Sequence, residues 1–126
     1  MKPVSGSILL ALLFCWFSGC GKPQPILSGG KPASYWVTSA ASGDIKLRRE
    51  AVAKLGNVGS SDSTVVPALI AALHDSDAQV RGEAIVALLK AGPEAKRAVG
   101  NLETLARSDR DGKIRAYAAR ALEKLR

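Results

Sequence analysis

The chain repeats itself. Three segments begin alike: Asp44-Ile45-Lys46-Leu47-Arg48-Arg49-Glu50-Ala51-Val52-Ala53-Lys54-Leu55, then Asp77-Ala78-Gln79-Val80-Arg81-Gly82-Glu83-Ala84-Ile85-Val86-Ala87-Leu88, then Asp111-Gly112-Lys113-Ile114-Arg115-Ala116-Tyr117-Ala118-Ala119-Arg120-Ala121-Leu122, at offsets of 33 and 34 residues. Each runs Asp, two variable residues, an apolar residue, Arg, two more, Ala, and ends on Leu. A period of this length restricts the fold severely, because one unit is too small to bury its own apolar face and must stack on the next. Within a unit the apolar positions, such as Val80, Ala84, Ile85 and Leu88, fall at i, i+4, i+5 and i+8, which is one face of an α-helix and not the alternation of a strand.

A shorter helix precedes each of these. Val66, Leu69, Ile70 and Leu73 form an apolar stripe, Val99, Leu102 and Leu105 repeat its main positions, and the same register projects Leu69 back onto Trp36. The pattern predicts an all-α chain, a short solenoid of three helix pairs with units at about 33–58, 63–92 and 94–126. The first helix is Ser- and Ala-rich and ends by Ser42-Gly43. Pro67 and Pro93 stand near helix starts, where the missing N–H has no partner in any case. Gly56 and Gly59 bracket an expected loop, as does Gly92. Leu47, Val80 and Ile114, with Leu55, Leu88 and Leu122, are expected to stack as one core, and Ala51, Ala84 and Ala118 to let helices approach closely. Asp44, Asp77 and Asp111 stand one residue ahead of their helices as N-caps, each typically worth ~1 kcal/mol.

These segments resemble the HEAT-like repeats grouped around the phycobilisome-lyase HEAT-like family, over about residues 32–126. The resemblance implies antiparallel helix pairs with Asp, Val and Arg at the start of the second helix. It also implies an Asp–Arg ladder from repeat to repeat, formed by Asp44, Arg48, Asp77, Arg81, Asp111 and Arg115. A functional reading of the same arginines is a row of anion-binding groups along one groove, flanked by Lys46 and Lys113 and interrupted by Gln79. Tyr35 and Trp36 are the clustered aromatics of this part: either a hot spot for a partner or a cap on the end of the core.

The first twenty residues do not belong to the array. Met1-Lys2 leads into the apolar run Ile8–Phe17 and the small residues Ser18 and Gly19, the layout of a secretory signal over 1–19. Ten apolar residues reach only about half of a ~30 Å hydrocarbon core. Phe17-Ser18-Gly19-Cys20 resembles the lipobox of bacterial lipoproteins, departing from it at Phe17, where Leu is usual. The resemblance implies lipidation of Cys20, cleavage before it, and multiple acyl chains, which hold a membrane firmly where one chain does not. Gly21 after the cysteine makes an outer membrane, where one exists, the expected destination. Residues 20–32, rich in Gly and Pro, read as the lipidated cysteine and a flexible tether. No cysteine follows Cys20, so a disulfide framework is excluded.

Removing the signal lowers the formal net charge from +7 to +6, which favours anionic partners. Export argues against chromosomal nucleic acid, so none is expected. One histidine, His74, and the absence of HExxH, CxxC and GxxxxGK[ST] patterns leave no metal or cofactor site in view. Some HEAT-like relatives are enzymes, among them bilin lyases and di-iron hydroxylases, but the hydroxylases carry repeated His-Glu ligand pairs that this chain lacks. The expectation is therefore a non-catalytic scaffold that binds an envelope protein, held to the membrane by its N-terminal lipid. The alternative is a basic groove for polyanions or anionic lipid head groups. Ile114, Leu122 and Leu125 have no evident polar cap, so self-association through exposed repeat ends is a further expectation.

Overall fold

The computed structural model describes residues 24–126. The expected signal segment 1–19 and Cys20 lie outside the described residues. From Ala33 onward the chain is a series of helices: α1 (Ala33–Ser39), α2 (Ile45–Val58), α3 (Val65–Ala72), α4 (Ala78–Lys90), α5 (Val99–Ser108) and α6 (Gly112–Leu125). Short turns join α1 to α2, α3 to α4 and α5 to α6, which makes three helix pairs. Stacking then produces two layers. In one, α2 packs on α4 and α4 on α6, while α1, α3 and α5 each pack on the second helix of their own pair. The architecture is the short all-α solenoid that the repeat predicts.

Each second helix starts for the same chemical reason. Asp44, Asp77 and Asp111 have extended backbones and accept from the N–H groups of Lys46, Val80, and both Lys113 and Ile114 respectively, neutralising donors that a helix start leaves without partners. The buried side chains run through all three units without a break: Trp36, Val52 and Leu55, then Val65, Leu69, Leu73, Val80, Ile85 and Leu88, then Leu102, Ile114, Ala118 and Leu122. Leu47 differs from its counterparts Val80 and Ile114, being only half-buried.

Three expectations are corrected. Gly56 lies inside α2, not in a loop, because it stands where α2 and α4 come closest: a Cβ there would sit 2.8 Å from Ala87 Cβ and 3.0 Å from Ala87 Cα. The turn comes later, at Gly59, whose φ of 62° ends α2 and suits a residue without a Cβ.

The flexible tether expected over 20–32 does not extend through residues 27–32. Leu27–Ser28 (β1) and Lys31–Pro32 (β2) pair antiparallel, and the turn between them, Gly29-Gly30, has φ of 58° and 74°, the signs that a two-residue hairpin turn requires. Glycine and proline that would break a long element here make a tight one. The hairpin packs on α1 and α2, and Ser28 O accepts from the Trp36 indole N–H at 2.7 Å.

Nor do Ile114, Leu122 and Leu125 leave an apolar end on the last helix. Ile114 and Leu122 turn into the common core and Leu125 is partly buried against it, whereas the exposed positions of α6 include Arg115, Ala116, Ala119, Arg120 and Glu123.

Candidate functional site

Two surfaces gather the residues that the sequence singles out: the turns between the helices of each pair, and the open face of the α2–α4–α6 layer.

At the turns, the arginines reach across from one unit to the next. Arg48 places Nε and Nη2 on the two carboxylate oxygens of Asp75 at 2.8 and 3.1 Å. Arg81 does the same to Asp109 at 2.8 and 2.8 Å. Such fork-to-carboxylate pairs are the strongest geometry open to arginine. The third amino group turns back to the arginine's own pair: Arg48 Nη1 donates to Ser42 O at 2.9 Å, Arg81 Nη1 to Asp75 O at 2.9 Å, and Arg115 Nη1 to Asp109 O at 2.7 Å. Asp75 is therefore held by Arg48 through its side chain and by Arg81 through its backbone, and Asp109 by Arg81 and Arg115 in the same way. The units are riveted in series.

This changes the identity of the ladder's acids. Asp44, Asp77 and Asp111 cap helices, and the carboxylates that meet the arginines are Asp75 and Asp109, two residues earlier. A cap aspartate is already occupied by its helix N–H groups, whereas the residue two positions ahead looks outward across the joint. Its own oxygen also accepts the backbone N–H of the cap residue, at 2.9 Å for Asp75 with Asp77 and 2.8 Å for Asp109 with Asp111. The signal was in the sequence as Asp-x-Asp, at Asp75-Ser76-Asp77 and Asp109-Arg110-Asp111, with Ser42-Gly43-Asp44 as its first copy. Arg48 and Arg81 are also unavailable as a row for external anions, since their forks are filled.

Burial pushes the Asp75 and Asp109 carboxyls up, but the arginine forks and the backbone N–H donors together outweigh it and hold both below the usual aspartate range. A carboxyl that titrates lower when folded contributes its stabilisation in full above the unfolded value of about 3.9 and loses it as pH falls through the folded one. Melting temperature is thus expected to stay level from pH 7 to about pH 4 and to fall below that as these carboxylates protonate. The fall should be shallower in Asp109→Asn; parallel curves for the two proteins would remove Asp109 from the explanation.

The aromatic pair divides by role. Trp36 is 3% exposed and is fixed by its bond to the hairpin, so it caps the core and is withdrawn as a contact for a partner. Tyr35 meets it edge-on with ring centroids 4.9 Å apart, remains partly exposed, and lies under the Lys31 ammonium at 4.0 Å. His74 sits in the turn after α3 with its Nε2 3.0 Å from Asn101 Oδ1 of α5, a link between adjacent units. Among the described residues no group of three or more His, Cys, Asp or Glu side chains could hold a metal ion, and no helix is long and apolar enough to cross a membrane.

On the open face of the α2–α4–α6 layer, a groove of about 480 Å³ runs between α4 and the start of α6. Gly82 lies in its wall, where a Cβ would meet Ile114 Cδ1 at 3.4 Å and Tyr117 Cδ2 at 3.9 Å. Val86 and Tyr117, 47% and 46% exposed, supply its apolar surface, and Arg49, Glu83 and Lys113 its charges. Lys113 thus borders the groove; Lys46 does not, and Arg49 of the same helix does. Val86, Tyr117, Arg49 and Glu83 were not singled out by their sequence. Only their place beside the groove distinguishes them, and the helical register alone does not say which half of an amphipathic helix faces a neighbour's groove.

Stacked helix pairs, cross-braced at their turns and carrying a groove on one layer, define an α-solenoid of the kind built to present a surface. The family model for HEAT repeats matches residues 35–123, and the chain belongs to the HEAT-repeat family. Repeats of this family generally mediate protein–protein interaction. No curated protein matches the chain.

Proposed function

We propose that the protein is a non-catalytic scaffold that binds another protein through the groove on the α2–α4–α6 layer while a lipid on Cys20 tethers it to a bacterial envelope membrane. The observation that carries the binding site is the pairing of half-exposed Val86 and Tyr117 beside a cleft with charges of both signs. Tyrosine is among the side chains that dominate binding energy at the centre of such a patch, apolar neighbours such as valine exclude water around it, and a polar rim supplies register. Asp75 and Asp109, whose carboxyls are held below the usual aspartate range, are engaged in bracing the fold, which favours a scaffold over an enzyme.

The likeness to the phycobilisome-lyase HEAT-like group and to lipoprotein signals belongs to the same proposal, supported by the repeated Asp-x-x-apolar-Arg segments and by Phe17-Ser18-Gly19-Cys20. An unidentified envelope protein is the proposed partner. Nucleic acid is not.

In a bacterial host that processes lipoproteins, the wild-type chain is expected to gain lipid mass at Cys20 and sediment with membranes, and Cys20→Ser to lose both. A photo-reactive side chain at position 86 should give a discrete protein adduct in that membrane fraction, one at the exposed Thr104 of α5 should not, and Tyr117→Ser should weaken the position-86 adduct. Adduct formation that disappears between low and moderate salt would instead point to the basic surface and a polyanionic partner. A soluble, unlipidated wild-type chain would overturn the anchor.

A further inference from the structure

Arg48, Arg81 and Arg115 hold their guanidinium groups in one repeated pose, each with Nη1 on a carbonyl of its own turn. That bond leaves Nε and Nη2, two parallel N–H groups along one edge, for other partners; in Arg115 the Nη2 stands beside Gly112 of its own helix, 3.3 Å from where a Cβ would lie. In Arg48 the edge is filled by Asp75 and in Arg81 by Asp109. In Arg115 no carboxylate meets it among the described residues, and the side chain is exposed. The ground around it is low: Ala116 and Ala119 lie exposed on α6 at the positions where α4 has Gly82 and Ile85, both buried, Gly82 beneath Ile114 and Tyr117 of α6.

We infer that the outer edge of Arg115 is a binding site for a carboxylate, namely an aspartate presented on a turn ahead of a helix in another protein, seated on α6 as the Asp109 turn is seated on α4. The two N–H groups match the two oxygens of a carboxylate. The bond to Asp109 O holds the guanidinium in place before the ligand arrives, so less side-chain freedom is lost on binding. The small side chains at 116 and 119 let a partner's turn come close.

A second copy of this chain is the wrong occupant. Its equivalent turn is Ser42-Gly43-Asp44, where the Ser42 hydroxyl takes the Asp44 N–H at 3.1 Å in place of the carboxylate that Asp75 and Asp109 provide. One hydroxyl oxygen does not satisfy a two-donor edge. Serine at 42 therefore makes head-to-tail stacking of identical chains electrostatically incomplete.

The test uses the uniformly 15N-labelled full chain and, as probe, the acetylated and amidated tripeptide Asp-Ser-Asp, the sequence of turn 75–77. The Nε–H resonance of Arg115 is expected to shift in a saturable way, with a dissociation constant on the order of 10 mM. Those of Arg48 and Arg81, whose forks are filled, should stay still. Arg115→Lys keeps the charge but not the fork, and should reduce the peptide's effect on neighbouring Ala116 and Ala119 amides to the level seen at Arg97 and Arg107, which are simply exposed. If Arg115 moves no more than Arg97 and Arg107, or if the Asn-Ser-Asn analogue produces the same saturable shift, the carboxylate site is refuted.

Discussion

Arg81→Ala is expected to be the most damaging single truncation of a charged side chain in the array, costing about 3–5 kcal/mol. The side chains of Arg81 and Asp109 are 7% and 4% exposed, so removing the guanidinium leaves a carboxylate that water reaches poorly. The loss is greater than that of one ion pair, because Arg81 Nη1 also holds the carbonyls of Asp75 and Ser76. At roughly 4–8 °C per kcal/mol for a domain of this size, the melting temperature should fall by more than about 10 °C. Arg97→Ala is the control: Arg97 is 56% exposed and 4.0 Å from Glu94, and should change stability by no more than about 0.5 kcal/mol. Equal melting temperatures for the two variants would sink the ladder as a stabilising device.

The same geometry predicts how the partners couple. Asp109→Ala leaves Arg81 without its fork, but the Nη1 bonds to Asp75 and Ser76 remain and the long side chain can reach solvent. The double variant Arg81→Ala with Asp109→Ala should therefore be less destabilised than the two single losses added together, by about 0.5–3 kcal/mol, since it removes the stranded charge as well as its mate. The raised Arg81 pKa, caused first by the hydrogen bonds to Asp109, keeps the guanidinium charged throughout any accessible pH. Only the acid partner can switch the pair off.

The fold was legible because periodicity and chemistry agree in every unit. Val80, Ile85 and Leu88 mark a helix face in the sequence and are buried in the structure, and Asp77 announces the helix start that it caps. What was not legible turned on distances between elements distant in sequence. Asp75 and Asp109 stood in view as half of an Asp-x-Asp repeat, but whether the first or the second aspartate meets arginine depends on which one looks across the joint. Trp36 was readable as a core position by its register with Leu69. Its bond to Ser28 was not, because Gly29-Gly30 can as readily belong to a disordered linker as to a hairpin, and the packing of β1 and β2 on α1 and α2 decides it. The groove is least legible of all: Tyr117 and Glu83 occupy the same register position in successive units, and no local rule says that one of them borders a cleft.

Gly56 separates local preference from packing most sharply. Glycine inside a helix costs roughly 0.5–1 kcal/mol relative to alanine, so helix propensity alone predicts that Gly56→Ala stabilises α2. Packing predicts the reverse. The new methyl would lie 2.8 Å from Ala87 Cβ and 3.0 Å from Ala87 Cα, and the second of these atoms is backbone, so relief requires α2 and α4 to move apart. Because α4 also carries α6, the shift would spread into the next joint. Overpacking of this kind costs typically 1–3 kcal/mol, enough to overcome the propensity gain and to lower the melting temperature by roughly 5–15 °C. Gly100→Ala provides the contrast: it lies in α5, where nothing stands within 4 Å of the added Cβ, so it should raise stability by a few tenths of a kcal/mol up to about 1 kcal/mol. Ala87→Gly placed on top of Gly56→Ala moves the methyl from one helix to the other. It should recover part of the loss and not all of it, because the contact with the Ala87 Cα remains. Thermal melts of the three variants beside wild type test the close approach directly: a stabilising Gly56→Ala would mean that α2 and α4 do not meet there.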